Sequence, residues 1–217
     1  MRIAIIGGHG KVSMLLTPLL IGAGHEVTSL IRNPDHAEDV TAAGATAAMA
    51  DVEHLDADGI ARHLAGHDAV VWSAGAGGGA ADRTYAVDRD AAIRSMDAAG
   101  VAGVDRYVMV SYFGAGPDHG VPPDNSFFAY AEAKTAADAH LAASTLQWTI
   151  LAPSALTSDP GTGLVDTADG IEASSVSRED VARMVAAVLE RPRTAGSCIA
   201  FNEGSTPIDD SVARFER

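Results

Sequence analysis

A short apolar run that ends in glycines and leads directly into a helical pattern is the feature that most constrains this chain. Ile3, Ala4, Ile5 and Ile6 are followed by Gly7, Gly8 and Gly10. A run of this length without polar interruption suits a strand buried on both faces of a parallel sheet. Val12, Leu15, Leu16, Leu19 and Leu20 then recur at helix spacing. Strand, glycine turn and helix form the opening unit of a dinucleotide-binding fold. Glycine lets the backbone turn sharply and a pyrophosphate approach, and the helix N-terminus offers free N–H groups and a positive dipole end. The spacing departs from Gly-x-Gly-x-x-Gly. Gly7 and Gly10 keep a Gly-x-x-Gly core, Gly8 is additional, and Ser13 stands where a third glycine is usual.

The rest of the chain alternates strand and helix signals. The first helix is predicted over about 11–23, with Pro18 inside it marking a kink or a tight approach to the sheet. Strands are predicted at 26–31, 46–49, 69–72, 107–110, 148–151 and 197–202, with Pro153 stopping the sixth. Helices are predicted at 56–64, 84–99, 127–144, 177–190 and 208–215, and a further one after the turn at Arg32-Asn33-Pro34-Asp35. Ser177 and Asp180 fit a capping start. Residues 75–79 are glycine-rich, 113–125 are rich in Gly, Pro and Asp, and 157–175 read as loops with room for a hairpin. This alternation predicts a single α/β domain over 1–217: an open, mainly parallel, doubly wound sheet with helices on both faces and a small C-terminal substrate-side subregion, its loops at about 113–125 and 154–176.

Composition removes several classes of function. Acidic residues outnumber basic ones 29 to 15, giving a net charge of -14, which argues against nucleic acid and anionic membrane as partners because both need clustered cations. One cysteine, Cys198, leaves no internal disulfide, and its apolar strand predicts a small buried side chain. The opening apolar run is too short for a signal peptide, and no stretch is long enough to span a bilayer, so a cytoplasmic protein is expected. His63 and His67 are four apart, but Gly66 separates them and no third ligand clusters nearby, so no metal site is expected. Trp72 and Trp148 read as packing residues at strand ends.

Selection between the two nicotinamide cofactors rests on the end of the second strand. An acidic residue about 20 positions past the glycines binds the ribose hydroxyls in NAD-selective folds. Here Arg32 holds that place, 22 positions after Gly10. A guanidinium can grip a 2′-phosphate bidentately and stack on adenine, so NADP(H) is expected over NAD(H). Asp51 and Val52 are placed to meet the adenine, and Ala74 and Gly75 to let the middle of the cofactor pass. His9 in the glycine loop is a candidate phosphate donor.

The candidate catalytic group is Tyr130-Ala131-Glu132-Ala133-Lys134, which sets a phenol and an ammonium at i and i+4 on one helix face. A phenol ordinarily titrates near pH ~10, and a nearby ammonium eases loss of its proton. Ser111, at the carboxyl end of the fifth strand, is expected to hydrogen-bond a substrate carbonyl beside it, where ligands bind in open α/β sheets.

With these motifs the chain resembles the atypical branch of the short-chain dehydrogenase/reductase superfamily, and is similar to its small NAD(P)H-binding, flavin reductase-like and nitrogen-regulator-like members. The resemblance covers nearly the whole chain. It is carried by Ile-Ile-Gly-Gly-His-Gly-Lys-Val, by Leu-Ile-Arg-Asn-Pro, by Asp51-Val52, by Val-Ser-Tyr at 110–112, by Tyr-Ala-Glu-Ala-Lys-Thr-Ala-Ala-Asp and by Trp-Thr-Ile-Leu-Ala-Pro-Ser. It implies that Gly7, His9, Gly10, Lys11 and Val12 wrap the phosphates, with Gly8 also counted among the cofactor-binding residues, and that Lys134 binds the nicotinamide ribose. It further implies that Tyr130 is the acid/base with Ser111 as helper, and that Pro153 and Ser154 lie near the carboxamide. Ala152-Pro153-Ser154 departs from the Arg-Pro-Gly frequent in the family.

Three functions follow as expectations. The first is an NADP(H)-dependent reductase of a small carbonyl, quinone or flavin-like compound. The second is a non-catalytic NADP(H) sensor. The third is an epimerase or dehydratase with tightly held NAD(P), which the roughly 65 residues after the sixth strand disfavour for nucleotide sugars, whose enzymes carry a sizeable domain there. The sequence leaves monomer and homodimer open.

Overall fold

A computed structural model describes residues 1–78, 80–167 and 170–217. Gly79, the last of the glycine-rich stretch, and residues 168 and 169 of the 157–175 region lie outside the described residues. In chain order the elements are β1 (Arg2–Ile6), α1 (Lys11–Gly22), β2 (Glu26–Ile31), α2 (Ala37–Ala42), β3 (Thr46–Met49), α3 (Ala57–Leu64) and β4 (Ala69–Trp72). Next come α4 (Ala81–Thr84), a π-helical segment (Tyr85–Ala91), α5 (Ala92–Ala102), β5 (Arg106–Val110), α6 (Phe128–Ala143) and β6 (Gln147–Pro153). The chain closes with β7 (Ala155–Thr157), β8 (Leu164–Asp166), β9 (Ser175–Ser177), α7 (Arg178–Leu189), β10 (Ser197–Glu203), β11 (Thr206–Pro207) and α8 (Ile208–Ala213).

The sheet is doubly wound. Among the described residues its order is β11-β8-β10-β6-β5-β4-β1-β2-β3, parallel from β10 to β3 and antiparallel where β8 meets β10 and β11. Chain order reverses between β1 and β4, the switch point at which a crevice opens beyond the carboxyl ends of the strands. β1 shows why the sheet forms: Ile3 and Ile5 point to one face, Ala4 and Ile6 to the other, and all four are fully buried. Each buried Ile contributes about 1.5–3 kcal/mol relative to exposure. One face is covered by α1, α7 and α8 through Leu16, Leu20, Val181, Val185 and Val212. The other is covered by α3, α5 and α6 through Ile60, Leu64, Met96 and Leu141.

Several local expectations change. Pro18 faces solvent on an uninterrupted α1 and makes no close approach to the sheet. β6 runs past 151 and ends at Pro153 itself, which pairs with Phe201 of β10. The hairpin envisaged within 157–175 is replaced by longer-range pairing, β7 with β9 and β8 with β10 and β11. Cys198 is exposed, because its side of β10 is not closed over. Ser177 caps α7 as expected, its hydroxyl accepting from Asp180 N at 3.0 Å, but the Asp180 side chain is also used elsewhere. Its buried carboxylate accepts from Thr162 N and Gly163 N, each at 2.8 Å, and ties the loop before β8 to α7. Finally, the helix predicted over 84–99 starts earlier and passes through the π-helical turn. An inserted residue of this kind re-aims side chains and recurs at functional sites; here Asp88 is turned inward to accept from Ala76 N at 3.0 Å.

Candidate functional site

Two cavities open side by side along the carboxyl ends of β1, β2, β4 and β5. The first, of about 270 Å³, begins at the glycine turn. Gly7 has φ +86°, and a Cβ there would lie 2.6 Å from Ala74 Cα; a Cβ on Gly8 would meet Ser29 Cβ at 2.3 Å. The turn is therefore pressed between the ends of β2 and β4, and only glycine fits. Ser13 takes over from the missing third glycine by donating to Gly7 O at 2.9 Å, which locks the turn onto α1. The first turn of α1 carries no acidic residue, so its positive end is left for an anion.

Gly7, Gly8, His9, Gly10, Arg32, Asp51, Val52, Ala74 and Gly75, all singled out from the sequence, line this first cavity. Three titratable lining residues were missed: His36, Glu53 and Arg83. His36 stacks on His9 with ring centroids 3.7 Å apart, and His9 Nε2 lies 2.8 Å from Asp39. Glu53 Oε2 sits between two guanidiniums, 3.6 Å from Arg32 and 3.4 Å from Arg83. Arg83 also donates to Ala76 O at 2.6 Å. Arg94 of α5 fixes this corner by donating to the carbonyls of Val52, Glu53 and Leu55. Asp51 is spent on its own turn, accepting from Glu53 N and pairing with His54. No spacing pointed to Glu53, Arg83 or Arg94, because they meet only through the tertiary fold.

The second cavity, of about 740 Å³, holds Val12, Ser111 and Tyr130 in its wall together with Asp88. Ser73, Ala74 and Gly75 line both cavities. Behind the wall lies a buried charged cluster. Lys134 is 1 % exposed and donates to Val110 O at 2.9 Å and to Met109 Sδ at 3.1 Å. Burial holds its ammonium below the ordinary lysine range, opposed by the charges of Asp138 and Asp88. Burial raises both carboxyls, while Lys134 draws each back down. Ser111 donates to Asp138 Oδ2. Among the described residues, Asp138 Oδ1 and the Tyr112 hydroxyl are buried without a hydrogen-bond partner. Asp138 stands four residues after Lys134 and eight after Tyr130, so the same helix periodicity that gave the Tyr-Lys pair could have found it.

The electrostatics of Tyr130 run against expectation. Burial, then the charges of Asp88 and Asp138, then Tyr112, raise its phenol above the ordinary value. The assistance expected from Lys134 is absent among these causes, since its charge is met by two carboxylates and its donors by Val110 and Met109. Ser111 likewise turns its proton to Asp138 and not toward the cavity. Lys11 is exposed at the start of α1 and lines neither cavity. Pro153 and Ser154 also lie outside both linings. Ser154 bonds Asn202 Oδ1 at 2.5 Å and accepts from Ser174 N, so its hydroxyl serves the join between β6, β10 and the chain before β9.

A parallel sheet reversing at β1, a glycine turn at its switch point and a two-part crevice define a Rossmann-type dinucleotide-binding protein. The chain belongs to the NAD(P)H-binding family whose model matches residues 7–192. It is 34% identical to the Bacillus subtilis protein named "Uncharacterized sugar epimerase YhfK", over 99% of this chain and 100% of that one. Among solved structures, "Putative NAD-dependent epimerase/dehydratase" from Bacillus halodurans superposes with a TM-score of 0.90 at 31% identity, covering 99% of each chain. The oxidoreductase ylbE from Lactococcus lactis gives 0.88 at 28% identity, covering 99% of this chain and 96% of that one. NAD(P)H binding and an oxidoreductase- or epimerase-like family are thereby established. Among the described residues no helix is long and apolar enough to cross a membrane.

Proposed function

We propose that this protein is an NADP(H)-dependent reductase of a small carbonyl, quinone or flavin-like compound. In this reading the adenosine end of the cofactor lies in the first cavity and the nicotinamide end in the second. The observation that carries it is the continuity of the two cavities through Ser73, Ala74 and Gly75. One extended ligand then reaches from Arg32 and Arg83 to Ser111 and Tyr130. Preference for NADP(H) follows from two guanidiniums sharing a single carboxylate, since a 2′-phosphate supplies the acceptors that Glu53 alone cannot.

When bound, the nicotinamide supplies a hydride to the substrate carbon. Tyr130 keeps its proton at physiological pH because its phenol is raised, and it gives that proton to the oxygen as negative charge develops there. A phenol held in the protonated state suits reduction; oxidation of an alcohol needs a base instead. Steady-state oxidation of NADPH across carbonyl, quinone and flavin compounds tests the reading. Turnover that falls at least 100-fold in Tyr130→Phe supports it, and tight NADPH binding with no turnover on any of them refutes it.

One observation favours a second reading, a sensor of NADP(H). Ser111 and Lys134 spend their hydrogen bonds on Asp138, Val110 and Met109 and not on Tyr130, so the three side chains do not form a connected relay. The relatives' names favour a third, an epimerase or dehydratase. Nucleotide released from the purified protein on denaturation would support that one.

A further inference from the structure

The wall of the second cavity constrains what can enter it. Aromatic side chains of Tyr85, Phe127, Phe128 and Tyr130 line it, as does Leu156 of β7. Phe127 and Tyr130 are braced by Tyr112, with ring centroids 5.2 and 5.4 Å from it and 5.1 Å from each other, so the aromatic wall is fixed from behind. Among the described residues of the lining, the single charged side chain is Asp88, a carboxylate. The cations nearest by sequence are committed elsewhere. Lys134 is buried on Val110 O and Met109 Sδ, Arg83 bonds Ala76 O and Glu53, and Arg89 pairs with Asp90 while lying over the outside of the Tyr85 ring. The net charge of -14 adds long-range repulsion of anions.

An anion entering such a cavity loses water, finds no counter-charge and faces Asp88. A flat neutral ring loses little and gains face and edge contacts with the aromatic wall. Resting on the reductase reading above, we propose that the substrate is an uncharged, planar ring carbonyl, of aromatic-ketone or quinone type, carrying no phosphate or carboxylate. Nucleotide sugars are thereby refused at this cavity, as are phosphorylated flavins. Ser126, an exposed residue of the lining, marks where a cation would weaken the choice.

The test is equilibrium dialysis of the protein saturated with NADP⁺ against two ligands of matched shape, 9-fluorenone and 9-fluorenone-2-carboxylate, with UDP-glucose as a third. Fluorenone is expected to bind at least tenfold more tightly than its carboxylate, and UDP-glucose not to compete. Ser126→Arg is expected to shrink the discrimination at least threefold by strengthening the carboxylate. Equal or tighter binding of the carboxylate, competition by UDP-glucose, or failure of fluorenone to bind overturns the proposal. The readout is binding and not turnover. A protein that binds fluorenone selectively yet oxidises no NADPH would sink the reductase reading and leave the assigned ligand class standing.

Discussion

Replacing Lys134 by Met keeps most of the side-chain volume and removes a charge that sits between two buried carboxyls. The consequences can be worked from the contacts. Val110 O loses its donor, and a buried acceptor left without one costs about 1–3 kcal/mol. Asp88 and Asp138 lose the cation that lowers both, and breaking a buried pair from one side costs about 3–5 kcal/mol. These overlap, so a total loss of about 4 kcal/mol is expected at pH 8. The loss should depend on pH with a definite sign. Both carboxyls are already above their ordinary value of 3.8 in the folded protein and rise further without the ammonium. A raised folded value gives stability that is fully present below 3.8 and lost as pH rises through the folded value. Lys134→Met should therefore be markedly less damaging at pH 5 than at pH 8. Adding Asp138→Asn should recover part of the loss at pH 8. Urea unfolding followed by tryptophan fluorescence at the two pH values measures this. A loss below about 1 kcal/mol, or one equal at both pH values, would refute the claim that this ammonium neutralises the carboxyl pair.

Other perturbations separate binding from folding. Arg83→Ala should weaken NADPH by about 10-fold or more and leave NADH within twofold, since a charge-assisted bond to phosphate is worth about 1.5–3 kcal/mol; calorimetric titration of both nucleotides reads it. Tyr130→Phe should abolish reduction without changing NADPH affinity, and in the parent protein no loss of rate attributable to Tyr130 should appear between pH 6 and 9, because its phenol lies above its ordinary value. Arg106, at the amino end of β5, is buried with no carboxylate partner among the described residues, and burial lowers its guanidinium to about 10. It donates to Gln147 O, Thr149, Val188 O and Thr194. Arg106→Ala should cost about 2–4 kcal/mol in urea unfolding, with no change in NADPH affinity, because it lies at the opposite end of the strands from both cavities.

What could be read from the sequence was what periodicity and local chemistry encode. β2, β3 and β4 match their predicted bounds, because a polar residue closes each run: Arg32 after β2, Asp51 just after β3 and Ser73 after β4. The Tyr130–Lys134 helix and the glycine turn were equally visible, since each is a pattern within a few residues. The π-helical turn at Tyr85–Ala91 was not, since no residue there breaks a helix and the insertion is stabilised by Asp88 reaching Ala76 across the loop. The same limit hid Glu53 and Arg83, which are remote in sequence and meet only when α4 folds back against the loop after β3. The role of Ser154 was misplaced because its partner, Asn202, belongs to the next strand of the sheet but lies 48 residues away in the chain. The tilt of the Tyr130 phenol was misjudged because Asp88 and Asp138 were not known to flank Lys134.

Titration calorimetry of the purified protein with NADPH and with NADH tests the central claim most directly. Two arginines around Glu53 at the end of the β2–β3 crevice predict that NADPH binds at least tenfold more tightly, with the difference shrinking as salt is raised. Equal affinities, or a preference for NADH, would contradict the assignment of Arg32 and Arg83 to a 2′-phosphate and with it the orientation of the cofactor along the two cavities.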